Sequence, residues 1–198
     1  MRCPARLAPA IAGDNHVGMD ADTSDEMLMQ AYAAGDADAF QVLYQRHRSL
    51  LYGFLMRSLG RRDWADDCFQ ETWSRVIRAR NRYRPEAKFS TWLLQIAHNL
   101  LIDRHRQQRP HVPLDLVAEP ADDSEGQQQP DAVLDRFQRS RRLREAIAAL
   151  PAQQRQAVLL RLDQELALEE IATVTGVGRE TVKSRLRYAM AKLREALS

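Results

Sequence analysis

Residues 168–186 read LEEIATVTGVGRETVKSRL, and this stretch decides the fold of the C-terminal part of the chain. Ala172 is small at a position where two helices must approach closely, and Gly176 supplies the left-handed backbone that a tight turn requires. Val177 follows as an apolar plug inside the turn, and Gly178 stands where the next helix would be capped. The order predicts two helices joined by a turn, the pattern of a helix-turn-helix.

The second helix of this motif presents polar and cationic side chains away from its apolar face. Val182 and Leu186 would hold the helix against its neighbour, which leaves most other residues outward. Arg and Lys bridge guanine edges or phosphates, and Ser bonds to either, so the motif favours reading of duplex DNA. The alternative is a structural helical hairpin with a cationic surface. The outward residues are Arg179, Glu180, Thr181, Lys183, Ser184, Arg187 and Tyr188.

Charge is distributed unevenly along the 198 residues, although the net charge is only +2. Residues 72–109 carry a net +7 and residues 136–198 a net +6, whereas residues 110–135 between them carry a net −7. Two basic blocks joined by an acidic tether predict two contacts with a polyanion. The alternative is two solvated helical domains with chance clustering of charge.

Composition favours helices, since the chain has 44% hydrophobic residues and only 8 Gly and 8 Pro. No apolar run reaches the ~20 residues of a membrane span, and no signal peptide is evident. Cys3 and Cys68 form no metal-spaced set, and Cys68 is predicted to be a buried thiol. We therefore expect a cytoplasmic protein with an all-α fold of two small helical domains, and no metal ion or cofactor.

Hydrophobic periodicity predicts four helices before residue 107. Thr23 and Glu26 have capping-box spacing at the first helix. Asp36 is the predicted N-cap of the second helix, which Gly60 ends. The predicted N-caps of the third and fourth helices are Asp63 and Ser90.

Prolines, acidic residues and glutamines between the two helical parts indicate a flexible linker. The start of the chain lacks a periodic pattern, so we expect either a disordered lead or a true start at Met19. The predicted organisation is a lead at 1–22, an N-terminal domain at 23–107, an acidic linker at 108–133 and a C-terminal domain at 134–198.

Residues 81–92 read NRYRPEAKFSTW and place aromatic rings among cations in a loop before a helix. Aromatic and cationic side chains together hold unstacked single-stranded bases, and such contacts offset the cost of extracting a base from a duplex. The alternative is that the rings belong to the core. We favour the core for Phe89 and Trp92 and leave Tyr83 open between the two interpretations.

The preceding helix carries an acidic and amide face that includes Asp66, Asp67, Gln70 and Glu71. Because an acidic patch repels DNA, this face is either a protein docking surface or simply solvated.

No catalytic arrangement is evident among the five histidines, so we expect no enzyme activity. His98 and His105 are seven positions apart, and we interpret them as surface groups near nucleic acid rather than as a metal pair.

The joint order of these motifs resembles bacterial RNA polymerase sigma factors of the sigma-70 family. The matching motifs are DDCFQETW at 66–73, FSTWLLQIAHN at 89–99, LP at 150–151 and the helix-turn-helix at 168–186. Two domains with a short linker resemble the extracytoplasmic-function (ECF) class, over roughly residues 24–107 and 134–197. The resemblance implies promoter recognition and melting together with core polymerase, for a stress or envelope-response regulon.

The resemblance also assigns roles to residues and partners. It implies contacts with the beta-prime clamp and beta flap of core RNA polymerase, with duplex and melted promoter DNA, and with an anti-sigma factor. The polymerase-binding residues would be Asp67, Gln70 and Glu71. The minus-ten residues would be Tyr83, Arg84, Pro85, Glu86, Ala87 and Lys88, with Asn99 beside them. The minus-thirty-five residues would be Lys183, Ser184, Arg187 and Tyr188, with Arg161 and Arg179 on the DNA backbone.

One departure from the family pattern concerns the loop. Pro85-Glu86 stands where Gly-Asp is frequent in the family, so a different base preference is expected for this loop. An ordinary helix-turn-helix repressor or activator with an N-terminal sensing domain is the competing function. That function needs a ligand cavity or a dimer face, and the apolar stripe of the N-terminal part indicates neither clearly.

Overall fold

The computed structural model describes residues 23–107 and 130–198, and these residues fold as helices. No β-strand occurs within those two ranges, which confirms the predicted all-α fold. A 3₁₀ turn, Arg80–Arg82, follows the third helix. The helices are α1 (Asp25–Ala33), α2 (Ala37–Leu59), α3 (Arg62–Ala79), α4 (Phe89–Gln107), α5 (Pro130–Ala148), α6 (Ala152–Leu162), α7 (Leu168–Thr175) and α8 (Arg179–Leu197).

Both predicted ends of α2 are confirmed. The Asp36 carboxylate accepts hydrogen bonds from the backbone N–H groups of Asp38 and Ala39 at 3.0 and 3.2 Å. Gly60 closes the helix with φ 68°, and its N–H donates to the carbonyl of Met56 at 2.8 Å. A left-handed residue is costly for any side chain with a Cβ, so glycine suits this position.

Three other predicted N-caps are wrong by one or two residues. The Ser24 hydroxyl, and not Thr23, accepts a backbone N–H of α1 at 3.3 Å. Helix α3 begins one residue before Asp63, whose carboxylate is bound by Arg61 at 2.6 Å. Helix α4 begins one residue before Ser90, because a side chain from α1 binds the free N–H at its start. Local spacing identified the helices but not the capping partners.

Helices α1 to α4 enclose the core of the N-terminal unit. Leu43, Phe54 and Leu93 are completely buried in it. Aromatic rings pack edge to face along one side, with ring centroids of Phe40 and Trp73 5.7 Å apart. Cys68 is 3% exposed and burial raises the pKa of its thiol, which confirms the predicted buried cysteine.

The C-terminal unit contains the predicted helix-turn-helix. Gly176 ends α7 with φ 65°, and the N–H of Val177 donates to the carbonyl of Ala172 at 3.2 Å. Gly178 is the N-cap residue of α8. Val182 is completely buried and holds α8 against the rest of the unit. The turn geometry and the outward face of α8 therefore agree with the sequence prediction.

The two units pack directly against each other, which the sequence did not predict. Helix α7 contacts α4 and helix α6 contacts α2, and buried residues of both units form one continuous apolar cluster. Two ion pairs cross this boundary, Arg57 to Asp163 at 2.6 Å and Lys88 to Glu170 at 2.9 Å. The Gln95 amide also donates to a backbone carbonyl of α7 at 3.3 Å. We call this arrangement the closed form.

Helix α5 begins at Pro130, inside the segment 108–133 that the sequence predicts as a linker. The predicted lead at 1–22 and linker residues 108–129 lie outside the described residues. From residue 138 onward most of α5 is exposed, and it packs on α8. None of the described helices combines the length and the apolar character that crossing a bilayer requires.

Candidate nucleic-acid interface

The loop between the 3₁₀ turn and α4 exposes all five of its residues, 84–88. Two buried aromatic side chains bound this stretch, Tyr83 at 7% exposure before it and Phe89 at 0% after it. The structure therefore presents Arg84 and Lys88 to solvent on a short span with anchored ends. A basic loop held in this way suits contact with a nucleic-acid strand.

The structure favours the core for Tyr83, which the sequence left open, because its ring is buried at 7% exposure and anchors the loop. Its ring centroid lies 5.0 Å from that of Trp92 and 6.2 Å from that of Phe89, both at steep angles. Burial, followed by the nearby charges of Glu26 and Asp25, raises the pKa of Tyr83 to about 12. Phe89 joins the core, as expected, and Trp92 is half-buried beside it.

Asn99 is exposed on α4 but is not adjacent to this loop. At the helical rise per residue it lies about 15 Å along the axis from Phe89. A nucleic-acid strand could reach both points only by running along α4. The loop and Asn99 thus do not form one pocket.

The predicted docking residues on α3 are exposed or half-buried, and the two acidic ones are already paired within the chain. Asp67 accepts a hydrogen bond from Arg104 at 2.9 Å. Glu71 accepts from Arg75 and Arg78 at 2.9 and 3.0 Å, and the hydrogen bond from Arg75 is the main cause that lowers the pKa of Glu71. These arginines were missed in the sequence, although the Glu71–Arg75 pair has the i,i+4 spacing that signals it.

The outward face of α8 carries the cations that the sequence predicted. Lys183, Arg187 and Tyr188 are exposed, Ser184 is half-buried, and the Arg187 guanidinium lies 5.1 Å from the centroid of the Tyr188 ring. Arg179 at the start of the helix is exposed and is paired with a carboxylate of α7 at 2.7 Å. Within the described residues, these side chains of α8 are thus accessible to solvent in the closed form.

Arg161, predicted to touch the DNA backbone, has a structural partner. Its guanidinium donates to the carbonyl of Leu166 at 2.8 Å and so bridges the connection between α6 and α7. The side chain is exposed nonetheless, and its remaining donors point to no described partner. Arg161 thus fixes the entry to the helix-turn-helix while remaining accessible.

Glu170 is a residue that sequence reasoning did not single out. One carboxylate oxygen accepts the backbone N–H of Ala167 at 2.8 Å, and the other lies 2.9 Å from the Lys88 ammonium. The hydrogen bond from Ala167 is the main cause that lowers the pKa of Glu170, and Lys88 adds to it. Glu170 therefore ties the loop before α4 to the first helix of the helix-turn-helix.

A cleft of about 360 Å³ lies between α4 and the C-terminal unit. Arg106, Arg185 and two histidines line it, and no acidic residue does so within the described part of the chain. His98 is 3% exposed there, and burial, followed by the charge of Arg185, lowers its pKa to about 4. This placement corrects the interpretation of His98 as a surface group, whereas His105 is exposed as expected.

Comparison with known proteins identifies the family of the chain. Residues 43–111 match the family model for Sigma-70 region 2, and residues 146–195 match that for Sigma-70, region 4. RNA polymerase sigma factor CarQ of Myxococcus xanthus is 32% identical over 172 residues, which cover 85% of this chain and 95% of that protein. ECF RNA polymerase sigma factor RpoE of Cereibacter sphaeroides is 35% identical over 164 residues, with 82% and 88% covered.

The chain belongs to the ECF class of the sigma-70 family. Solved structures support the same fold. CnrH, solved in complex with the cytosolic domain of CnrY, gives a TM-score of 0.65 at 25% identity, covering 88% of this ECF sigma factor and 97% of that chain. The sigma factor RpoE of Bartonella quintana, solved with the anti-sigma factor NepR, gives 0.65 at 22% identity and covers 80% and 96%. The helix-turn-helix thus lies in region 4, and the exposed loop in region 2.

Proposed function

We propose that this sigma factor binds core RNA polymerase, directs it to promoters and opens the DNA there. The observation that carries the proposal is the pair of exposed cationic elements, the loop 84–88 in the N-terminal unit and the outward face of α8 in the C-terminal unit. A rigid helix suits reading of a duplex, whereas an anchored basic loop suits capture of a single strand. The chain itself contributes no catalytic step, because synthesis belongs to the polymerase.

On this proposal the two units have separate tasks. Residues 23–107 bind polymerase and capture the melted minus-ten element with Arg84, Lys88 and their loop neighbours. Residues 134–198 read the minus-thirty-five element with the exposed side chains of α8. The rings of Tyr83 and Phe89 support the loop from the core, which their burial favours.

The polymerase-binding surface would comprise Asp67, Gln70 and Glu71. We expect Gln70→Ala with Glu71→Ala to reduce capture of core polymerase while leaving binding to the upstream element intact. Exposed ion pairs contribute about 0.2–1 kcal/mol, so a loss larger than fivefold requires that this surface be buried by a partner. Glu145→Ala is the matched control, because Glu145 is an exposed glutamate in an i,i+4 pair with Arg141.

Regulation would follow the pattern of the relatives. The Bartonella quintana RpoE was solved with an anti-sigma factor, and we propose that an anti-sigma factor covers this chain as well. We further propose that it acts in the cytoplasm, where polymerase and promoters are, on a stress or envelope-response regulon. Copurification from the source cells would identify the anti-sigma partner. Mapping of transcript starts would identify the regulon.

Reconstituted run-off transcription tests the proposed function directly. The chain added to core polymerase should yield a defined transcript that neither component gives alone. The competing function is a helix-turn-helix repressor, which would protect a palindromic site from nuclease without polymerase. A palindromic footprint by the purified chain, with no rescue of core polymerase, would replace the sigma-factor proposal with that of a repressor.

A further inference from the structure

The exposed loop 84–88 is bounded by residues that both lie against α1. This helix precedes residues 43–111, the part of the chain that matches region 2. It contacts both the 3₁₀ turn before the loop and helix α4 after it. Arg80 in that turn stacks 5.5 Å from the centroid of the Tyr32 ring of α1. Contacts from outside the matched region therefore help to define the path of the loop.

Glu26 makes the most specific of these contacts. Its carboxylate accepts the backbone N–H of Phe89 at 2.8 Å, across 63 positions of sequence. Phe89 is the first residue of α4, so its N–H has no partner within the helix, and a negative charge at a helix start is favourable. Glu26 thus fixes the position at which the loop ends and α4 begins.

Helix α1 is itself fixed by contacts to α2, and these contacts hold Glu26 in position. Asp25 pairs with Arg46 at 2.8 Å and with His47 at 2.6 Å, both on α2. The hydrogen bond from His47 is the largest cause that lowers the pKa of Asp25. The His47 ring in turn packs 5.1 Å from the Phe89 ring. Neighbouring acidic residues therefore connect α1 to α2 and to α4.

We propose that Glu26 is a positioning residue for promoter melting, which holds loop 84–88 where it can capture an unstacked base. The proposal rests on the proposed function, since it gives the loop its task. Base capture must offset the cost of unpairing and unstacking, so a loop that shifts loses melting before it loses duplex binding. Glu26 touches no DNA in this role and acts through the backbone of Phe89.

The test compares duplex and pre-melted DNA with the full chain and core polymerase. The probe is a promoter selected from a random-sequence DNA pool by transcription with the unaltered chain. We expect Glu26→Ala to lower transcription from the duplex about tenfold, the effect of losing one charge-assisted hydrogen bond. On the same promoter with a mismatched minus-ten region, where no melting is required, transcription should fall by less than about twofold.

Two further variants separate positioning from general stability. Glu26→Gln keeps a carbonyl oxygen that can accept from Phe89 and should restore most of the duplex activity. Ser24→Ala is the matched control, because it removes the N-cap bond to Met27 in the same helix without touching α4. The ratio of duplex to pre-melted transcription cancels any loss of folded protein, so partial unfolding of a variant does not obscure the result.

The outcomes are distinct. Equal loss on both templates, or an equal duplex defect in Ser24→Ala, would assign Glu26 to general stability and overturn its positioning role. An unaltered chain that selects no promoter would overturn the proposed function, and the inference with it. A selective duplex defect in Glu26→Ala that Glu26→Gln rescues would establish the positioning role.

Discussion

Glu71 illustrates how side chains that are expected to meet a partner are already paired inside the chain. It binds Arg75 and Arg78, as Asp67 binds Arg104. Such exposed pairs contribute about 0.2–1 kcal/mol each, so a partner can replace them at small cost. The internal pairs hold the carboxylates in defined positions and do not block the surface.

Lys183 and Arg187 are the two α8 cations that we expect to contact the upstream element. We expect the double variant Lys183→Ala, Arg187→Ala to bind the upstream element about tenfold more weakly or worse, since each good base contact contributes about 1–3 kcal/mol. Polymerase capture should be unchanged, because neither residue belongs to α3. Fluorescence anisotropy of the polymerase complex on duplex DNA measures the first effect, and pull-down of core polymerase the second.

The control for this variant is Lys192→Ala. Lys192 is exposed on the same helix, nine positions after Lys183, which places it on the opposite side at 100° per residue. It should bind the upstream element as the unaltered chain does. If Lys192→Ala weakens DNA binding as much as the double variant, net charge rather than the outward face of α8 determines affinity.

His98 gives stability a defined pH dependence. Its buried ring is neutral, with the pKa lowered from 6.5 to about 4 by burial and then by Arg185. Because folding lowers this pKa, the stabilising contribution is complete above pH 6.5 and is lost as the pH falls toward 4, a change of about 3 kcal/mol. We expect the urea concentration at the unfolding midpoint to decrease as the pH is lowered from 7 to about 5.

The matching variant is His98→Gln, which cannot gain a proton and should flatten this pH dependence. The two arginines that line the cleft, Arg106 and Arg185, stay in place in that variant, as does His105. His105→Gln is the control, because His105 is exposed on the same helix. A pH profile that His98→Gln leaves unchanged would show that other groups control acid sensitivity.

The sequence predicted which residues lie on the surfaces of helices better than it predicted their partners. Periodicity placed Lys183 and Arg187 outward because side-chain direction follows from the helical repeat. It could not show that Glu26 binds Phe89, since that bond joins residues 63 positions apart. Tyr83 was ambiguous for the same reason, because its burial depends on rings that the fold brings to it.

Among the structural elements, the turn between α7 and α8 depends most on one residue type. Gly176 has φ 65°, and a Cβ added there would meet nothing within 4 Å. Gly176→Ala should therefore cost about 1–2 kcal/mol from backbone strain alone. Chemical denaturation followed by circular dichroism measures this change.

At Gly178, two positions later, we expect a substitution to raise the stability instead of lowering it. It is the N-cap of α8 with ordinary extended geometry, and a Cβ there also meets nothing within 4 Å. Gly178→Ser adds a hydroxyl that can accept a backbone N–H of the first turn, and should stabilise by a few tenths of a kcal/mol. A loss of stability in Gly178→Ser comparable to that in Gly176→Ala would show that crowding, not φ, limits the turn.

The elements themselves were largely predictable. Asp36, Gly60 and Gly176 mark helix ends through chemistry that acts over a few residues, and all three predictions are confirmed. Helix α5 begins earlier than expected, because the acidic and proline-rich composition around Pro130 resembled a linker. Composition averages over many positions and does not locate the first residue of a helix.

The whole molecule adds a geometric constraint to the proposed function. Helices α4 and α7 are in direct contact in the closed form. The minus-ten and minus-thirty-five elements are separated by about 25 base pairs, which is about 85 Å of duplex. On the proposed function, the two units would have to separate before each could occupy its own element, and the closed contact would oppose that separation.

Arg57 and Asp163 test how strongly the closed form is held. Arg57→Glu places two negative charges together and should let the units separate at lower urea, as measured by energy transfer between dyes on each unit. Adding Asp163→Arg should restore the midpoint, because the pair is re-formed with reversed polarity. The expected shift is about 1 kcal/mol and should shrink at high salt, since the pair is partly exposed.

The control exchanges a pair within one unit. Arg61 and Asp63 are also 2.6 Å apart and partly exposed, but both belong to the start of α3. Reversing them should leave the separation midpoint unchanged. If both exchanges have the same effect, net charge and not the Arg57–Asp163 contact sets the midpoint. The contact between units was not predictable, because periodicity shows which face of a helix is apolar but not which element packs against that face.

The position of α1 bears on how the protein can be shortened. A fragment that starts at residue 43, where the region 2 match begins, would lack Leu28 and Met29, which are 1% and 0% exposed in the shared core. Removing two such side chains would leave a cavity lined by apolar groups and expose apolar surface, which promotes aggregation. Fragments for expression should retain residue 23 onward, or insolubility will be mistaken for an intrinsic property of region 2.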